Sequence, residues 1–277
     1  LDKKINVHAA QLLKQYLFEE AVTLVRDEEG LIPIRVLDTT SFASLTIHGK
    51  LTEAKSPFQQ MLNRYAPFEH YSITDNQQQY DYDQLFRQLS THGHVIVALH
   101  EPLSQEGQLT KKTISFLNFL QQKTKVTIVS FTHPRSLENL DSFRSVVCAY
   151  EDDPVAQQIA PQVLFGAIGA KGKLPVNASA SLPVGTGIST KPLARLGYTL
   201  PEAVGLRSDT LAVIDSLAQW AIEEEMTPGC QVLVARKGKI VFERAYGYQT
   251  YDKKVPITPE TIYDIASVTK VAGTMQA

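Results

Sequence analysis

Residues 94–100 read HVIVALH and residues 125–131 read KVTIVSF. Both runs are apolar at nearly every position, rich in β-branched side chains and too short for helices. A strand that is apolar on both faces must be covered on both, which a sheet achieves when helices pack above and below it. SLTIHG at 44–49 and SVVCAYE at 145–151 have the same character, while FEHYSIT at 68–74 is more polar and suits a place nearer a sheet edge. Helical patterns at 57–66, 81–91, 110–122 and 154–166 separate these runs. Strands alternating with helices in this way are expected to be parallel and joined by crossover connections. The expected fold class is therefore α/β, an open parallel-sheet three-layer (αβα) sandwich of five or six strands over residues 1–177.

Working outward from that sheet, Val7, Ala10, Leu13, Leu17 and Ala21 recur every three to four residues, which predicts a helix over 5–21 leading into VTLVRD. On the other side, residues 178–205 are rich in Gly, Pro, Ser and Thr without sustained periodicity and are expected to be a linker. Beyond it, RSDTLAVIDSLAQWAIEEEM predicts one helix with a Ser/Asp start and with Leu211, Ile214, Leu217, Ala218, Ala221 and Ile222 on one face. CQVLVARKGKIVFERAYGYQ then predicts a hairpin turning at Lys237 and Gly238. Helix, hairpin and a Ser/Lys helix start make residues 206–277 the expected opening of a second, α+β unit.

The 277 residues carry a formal net charge of -2 and a pI near 6.4, so there is no basic field for nucleic acid. No run is long and apolar enough to span a membrane, and no signal-peptide pattern opens the chain, which starts close to a helix without Met. The natural N-terminus is therefore expected to lie elsewhere. Cys148 and Cys230 sit far apart in apolar runs and read as buried small hydrophobes.

TIYDIASVTK at 261–270 contains a Ser followed three residues later by a Lys. In a helix that spacing puts Lys270 beside Ser267, where a desolvated amine can take the hydroxyl proton. The first turn of a helix also offers free N–H groups and the positive end of the dipole to developing negative charge. The spacing alone favours an N-terminal Ser cap and a solvent-facing Lys.

The wider setting is more specific. Residues 206–277, with GCQVLVARKGKIVFERAYGYQ before DIASVTK, resemble the opening of the serine β-lactamase and penicillin-binding-protein-like hydrolases. That resemblance implies that Ser267 is the nucleophile and Lys270 its Lys. The family also uses a Tyr- or Ser-containing second motif and a Lys/His-x-Gly strand from later sequence, neither of which occurs here. These residues are thus expected to be an incomplete β-lactamase-like segment, without activity of their own.

The first part also resembles a known family. AVTLVRDEEGLIPI, FTHPRSLENL and, above all, CAYEDDPVAQQIAPQVLFGAIGAKGKLPV are similar to the C-terminal sandwich of family 3 glycoside hydrolases of the β-glucosidase and β-N-acetylhexosaminidase type. There the sandwich follows a barrel that bears the Asp nucleophile. The implied parent is a bacterial hydrolase, periplasmic or secreted, joining a glycosidase to a serine hydrolase. Its partners would be a carbohydrate or peptidoglycan-like substrate, its own barrel and the rest of the β-lactamase-like domain. No cofactor is implied. The alternative is a non-catalytic scaffold or a carbohydrate- or peptidoglycan-interaction module.

Other motifs carry less. GAIGAKGKL at 166–174 lacks the spacing and the hydroxyl residue of a phosphate loop, and GTGIST at 185–190 lacks the third Gly of a dinucleotide fingerprint. No metal site is expected of His92, His94, His100 and His133, which read as strand-end polarity. His100 and His133 are the two placed to line a cleft, with no role assigned. Glu101, Glu151, Asp152 and Asp153 follow strands, where open α/β sheets bind ligands. They fit loop polarity as well, and Asp153 before Pro154 fits a helix cap.

Overall fold

The computed structural model describes residues 8–48, 55–75, 77–100 and 108–276. It divides into two compact units, 1–197 and 198–277.

In the first unit α1 (His8–Ala21) leads into β1 (Thr23–Asp27), followed by β2 (Phe42–His48), α2 (Pro57–Asn63), β3 (Phe68–Thr74), α3 (Gln79–Leu89) and β4 (His94–His100). Then come α4 (Lys111–Gln121), β5 (Lys125–Phe131), a 3-10 turn at Pro134–Leu140, β6 (Ser145–Cys148) and α5 (Pro154–Leu164). The strands form one six-stranded sheet in the order β1-β6-β5-β4-β2-β3. From β3 to β6 every pair is parallel.

β1 departs from the parallel sheet expected. It pairs antiparallel with β6, Thr23 opposite Cys148 and Leu24 opposite Val147, with a bulge before Arg26. The reason lies in the connection to β2, which holds no helix. A helix-free connection can join the end of β1 to the start of β2 only along one edge of the sheet, so β1 must run the other way. Asp27 fixes that reversal: its carboxylate oxygens accept the N–H groups of Leu31 at 2.9 Å and Ile32 at 3.0 Å.

The period-two alternation of the strands sorts the core into two faces. Leu45, Ile47, Val95, Val97 and Leu99 meet Leu85 and Leu89 of α3 and Phe116, Leu117 and Leu120 of α4. Ile96, Ala98, Val129 and Phe131 meet Phe58 and Leu62 of α2 and Ile159 and Val163 of α5. Each such fully buried Leu, Ile, Val or Phe contributes about 1.5–3 kcal/mol of transfer free energy. Local signals mark the helix starts. Ser56 and Gln59 form a reciprocal capping box on α2, and Asp153 accepts the Val155 N–H at 2.9 Å ahead of Pro154 in α5.

Much of the segment read as a linker packs against this sandwich. Ala178 and Leu182 are buried in its core, and Ile188 N–H donates to the Leu24 carbonyl at 2.7 Å. Arg195 donates through one nitrogen to the Ile34 and Phe165 carbonyls at 2.6 and 2.8 Å. Just upstream, Gly172 lies so close to α1 that a Cβ there would stand 2.1 Å from the Ala21 carbonyl oxygen.

The second unit holds α6 (Ser208–Leu211), α7 (Val213–Glu223), β8 (Gly229–Arg236), β9 (Lys239–Gly247) and α8 (Val268–Gln276), and β7 (Gly197–Tyr198) lies at its boundary. Its sheet runs β7-β9-β8. Lys237 and Gly238 have φ of 53° and 74°, the two left-handed residues of a type I′ hairpin, at the turn expected. The helix expected over 207–226 runs as α6 and α7 joined at Ala212, which keeps right-handed helical dihedrals of φ -61° and ψ -21°. Ser208 does not cap it: its N–H and hydroxyl both donate to the Glu202 carboxylate, at 2.8 and 2.9 Å. Of the face expected to be apolar, Ala218 is buried, whereas Leu217 is exposed. α7 is tied to β9 through Asp215, which accepts from Tyr246 and Arg244, each at 2.6 Å.

Candidate active site

Ser267 is the residue immediately before α8, at the helix start that the sequence predicted. Asp264 accepts the Ala266 N–H at 2.7 Å, and Ala266 takes a φ of 42°, a left-handed conformation rare for a residue with a Cβ. Three short turns follow, Val268 to Ile265, Thr269 to Ala266 and Lys270 to Ser267, at 2.9–3.1 Å. They bring Lys270 round so that its Nζ donates to Ser267 Oγ at 3.4 Å. That is a long contact by hydrogen-bond standards. Thr274 Oγ1 donates to the Lys270 carbonyl at 2.7 Å and steadies the next turn.

The surroundings are open. Ser267 and Lys270 are exposed, as are the apolar side chains of Ile262, Ile265, Val268, Val271 and Met275. Upstream, the Gln231 amide of β8 donates to the carbonyls of Thr258 and Thr261, holding the approach to the Ser267 turn on the sheet. Chemically, this arrangement sets an amine beside a hydroxyl. Among the described residues no further side chain closes on the pair, and an acyl-transfer site also needs oxyanion donors and a route for the second proton.

Elsewhere the structure separates the other candidates. Glu101 lies outside the described residues, and Glu151 is exposed. Asp153 caps α5 and pairs with Lys14 at 2.5 Å. Asp152 accepts from His100 Nδ1 at 2.7 Å and from the Gln157 amide at 2.6 Å, both on Oδ1. Burial opposes its ionisation, yet the His100 hydrogen bond and charge and the Gln157 amide together pull its pKa down. His48, which sequence reasoning passed over, stacks on His100 with ring centroids 4.7 Å apart.

The remaining histidines are structural. His133 accepts the Arg135 N–H at 3.2 Å at the start of the 3-10 turn. His94 is bonded to Thr127 at 2.9 Å inside the core, and burial, with a smaller push from Lys125, drives its pKa down to about 3. His92 approaches Glu69 at 3.5 Å. Among the described residues no three His, Cys, Asp or Glu side chains gather as metal ligands. Cys148 is buried, whereas Cys230 is only half-buried. The glycines at 166–172 cannot cradle a phosphate because protein fills the space. Gly166 faces Pro33 and Leu193, Gly169 the Thr190 carbonyl and Gly172 the Ala21 carbonyl. No helix among the described residues is long and apolar enough to cross a membrane.

Residues 215–275 match the family model described as Beta-lactamase. Over 65 residues the chain is 38% identical to the proteins named Protein flp of Staphylococcus aureus strains NCTC 8325 and COL, which covers 24% of this chain and 13% of theirs. The chain thus spans about one eighth of the length of these curated relatives. Among solved structures, a fungal multi-domain family 3 β-N-acetylglucosaminidase superposes with a TM-score of 0.52 at 17% identity, over 69% of this chain and 21% of that one. The family 3 β-N-acetylglucosaminidase of Paenibacillus sp. FPU-7 gives 0.52 at 15% identity, over 62% and 33%. A β-glucosidase from Listeria innocua gives 0.50 at 17% identity, over 62% and 27%. At these identities the likeness to family 3 glycosidase structures establishes the fold alone, and residues 215–275 carry the match to the Beta-lactamase family model.

Proposed function

We propose that the whole protein is a bacterial hydrolase joining a family 3 type glycosidase, whose catalytic barrel lies outside these residues, to a serine hydrolase of β-lactamase type. The observation that carries the second half is the Lys270–Ser267 contact at 3.4 Å on a helix start, inside the segment that matches the β-lactamase family. In the reaction proposed, the Lys270 amine takes the Ser267 proton as Oγ attacks a carbonyl carbon. The ester, amide or lactam bond to the leaving group breaks, and that group takes up a proton. Water then releases the acyl group from Ser267. A peptidoglycan-related acyl donor is the substrate class proposed, with a β-linked carbohydrate for the glycosidase half. Both candidate side chains stand in solvent, and charge stabilisation in acyl transfer depends on a closed, preorganised site. Residues 1–277 alone are accordingly proposed to turn over neither substrate.

The test is hydrolysis of an activated ester and of a chromogenic cephalosporin by the whole protein and by its Ser267→Ala variant. Activity lost in the variant supports the reading. Equal activity in both, or none in either, sinks it. That same exposure favours a second reading, an interaction module in which the β-lactamase-like part binds without turnover. It would show as binding of peptidoglycan fragments that Ser267→Ala leaves unchanged.

A further inference from the structure

The chain reaches Ser267 over a short bridge anchored at both ends. Upstream, the Gln231 amide of β8 donates to the Thr258 carbonyl and, at 3.3 Å, to that of Thr261, while the Thr258 N–H donates to Thr261 Oγ1 at 2.9 Å. Downstream, α8 begins at Val268. Residues 262–266 span the gap, and among the described residues the one side-chain hydrogen bond made there is that of Asp264. Its Oδ1 accepts the Ala266 N–H at 2.7 Å.

Ala266 carries the strain of this bridge. Its φ of 42° is left-handed, a conformation in which Cβ crowds the following carbonyl oxygen and which Gly, Asn and Asp enter far more readily than Ala. The other non-Gly residues with positive φ among those described are Tyr150, Glu225, Lys237 and Lys253, and none of them adjoins Ser267 or Lys270. Strain of this kind persists only where neighbouring contacts impose it, and it gathers at sites where orientation matters. Here the imposing contact is the Asp264 carboxylate, an acceptor two residues upstream that reaches the Ala266 N–H only while the chain turns.

The turn sets the direction in which the chain leaves it. The Val268 N–H donates to the Ile265 carbonyl at 2.9 Å, and the Thr269 N–H to the Ala266 carbonyl at 3.1 Å, so α8 starts directly from the left-handed residue. Ser267 and Lys270, 3.4 Å apart, both lie downstream of Ala266. A change of φ at Ala266 therefore swings the pair as one body relative to β8 and leaves their mutual contact intact. Acyl transfer needs its nucleophile aligned with oxyanion donors and with the bound carbonyl. A displacement of about 1 Å there can cost about a hundredfold in rate.

We propose that Asp264 is a positioning residue for Ser267: by holding the Ala266 N–H it locks the left-handed turn that fixes the Ser267–Lys270 pair relative to β8. This rests on the serine hydrolase reading of the second unit and adds to it the residue that aims the nucleophile.

The experiment measures the rate at which a fluorophosphonate modifies Ser267 in the whole protein, its pH dependence, and the hydrogen exchange of the Ala266 amide, followed by NMR after selective labelling with nitrogen-15 alanine. Asp264→Ala is expected to slow modification about tenfold or more. Asp264→Asn, whose amide oxygen can accept the same N–H, should lose much less. Adding Ala266→Gly to Asp264→Ala should restore most of the rate, because Gly enters the left-handed region without a Cβ penalty. The pH midpoint of modification should stay in place in all three, since Lys270 moves with Ser267. The Ala266 amide should exchange faster in Asp264→Ala than in the wild type. Should Asp264→Ala unfold, Asp264→Glu, whose longer side chain overreaches the N–H, is read in its place with the same expectation. Equal rates in wild type and Asp264→Ala, equal slowing by Ala and Asn, slowing that Ala266→Gly does not relieve, or a displaced pH midpoint each overturns the proposal. So does an Ala266 amide that exchanges no faster in Asp264→Ala, whether or not Ser267 reacts. A wild type left unmodified at Ser267 defeats the serine hydrolase reading instead, and faster amide exchange in that case still leaves Asp264 as the residue that holds the turn.

Discussion

The Nζ of Lys270 lies 3.4 Å from the Oγ of Ser267, and both side chains stand in solvent. A contact of that length between exposed groups contributes little to folding. Ser267→Ala and Lys270→Ala are each expected to shift the stability of residues 1–277 by less than about 0.5 kcal/mol, read by urea denaturation. A loss well above about 1 kcal/mol would mean that the pair is buried against something.

Gly172→Ala tests the packing of the Gly- and Pro-rich segment. A Cβ there would stand 2.1 Å from the Ala21 carbonyl oxygen and 2.3 Å from Thr23 Oγ1, and backbone cannot yield as the end of a flexible side chain can. A destabilisation of the first unit by about 1–3 kcal/mol is expected, read by the same denaturation. An unchanged midpoint would place the segment away from α1.

Gly238→Ala separates conformation from contact. Gly238 has a φ of 74°, and a Cβ added there would meet nothing within 4 Å, so only left-handed strain is added. The expected cost is about 1 kcal/mol, and Lys237→Asn, at a φ of 53°, should be neutral or slightly stabilising. Circular dichroism melts of the two variants decide it.

His94 gives the first unit a pH signature. Its folded pKa of about 3 lies below the ordinary value near 6.5. Between those values the unfolded chain binds a proton that the folded chain does not. Stability should therefore fall as pH drops from about 6.5 toward 3, by up to about 1.4 kcal/mol per pH unit. Asp152, held below its ordinary pKa, adds stability above the unfolded value near 3.8 that is lost as pH falls through its lower folded value. Replacing His94 by Gln, which can still bond Thr127, should flatten the upper part of that slope. A slope unchanged in the variant would show that His94 does not carry it.

These relationships differ in how far the sequence reveals them. HVIVALH and KVTIVSF became β4 and β5 residue for residue, because a strand buried on both faces leaves an uninterrupted apolar run. FEHYSIT became the edge strand β3, its polarity permitted by a missing neighbour. The direction of β1 was hidden, since TLVRD reads the same in either orientation and only the helix-free connection decides it. The close approach of Gly172 was hidden because its partner, the Ala21 carbonyl, is distant in sequence. The Ser267–Lys270 contact was legible because it is local, three residues apart across one helix start. His48, His100 and Asp152 were not legible as a group. Each closes or follows a different strand, and only the register of β2 on β4 and the turn before α5 bring them together.

The central claim is that Ser267 is a nucleophile served by Lys270. Its most direct test is intact-mass spectrometry of the whole protein after incubation with a fluorophosphonate and, separately, with a labelled penicillin, with the site located by peptide mapping. One covalent adduct on Ser267, abolished by Ser267→Ala and strongly slowed by Lys270→Ala, is the result expected. A protein that stays unmodified, or that is modified at another residue while Ser267 remains free, would contradict it.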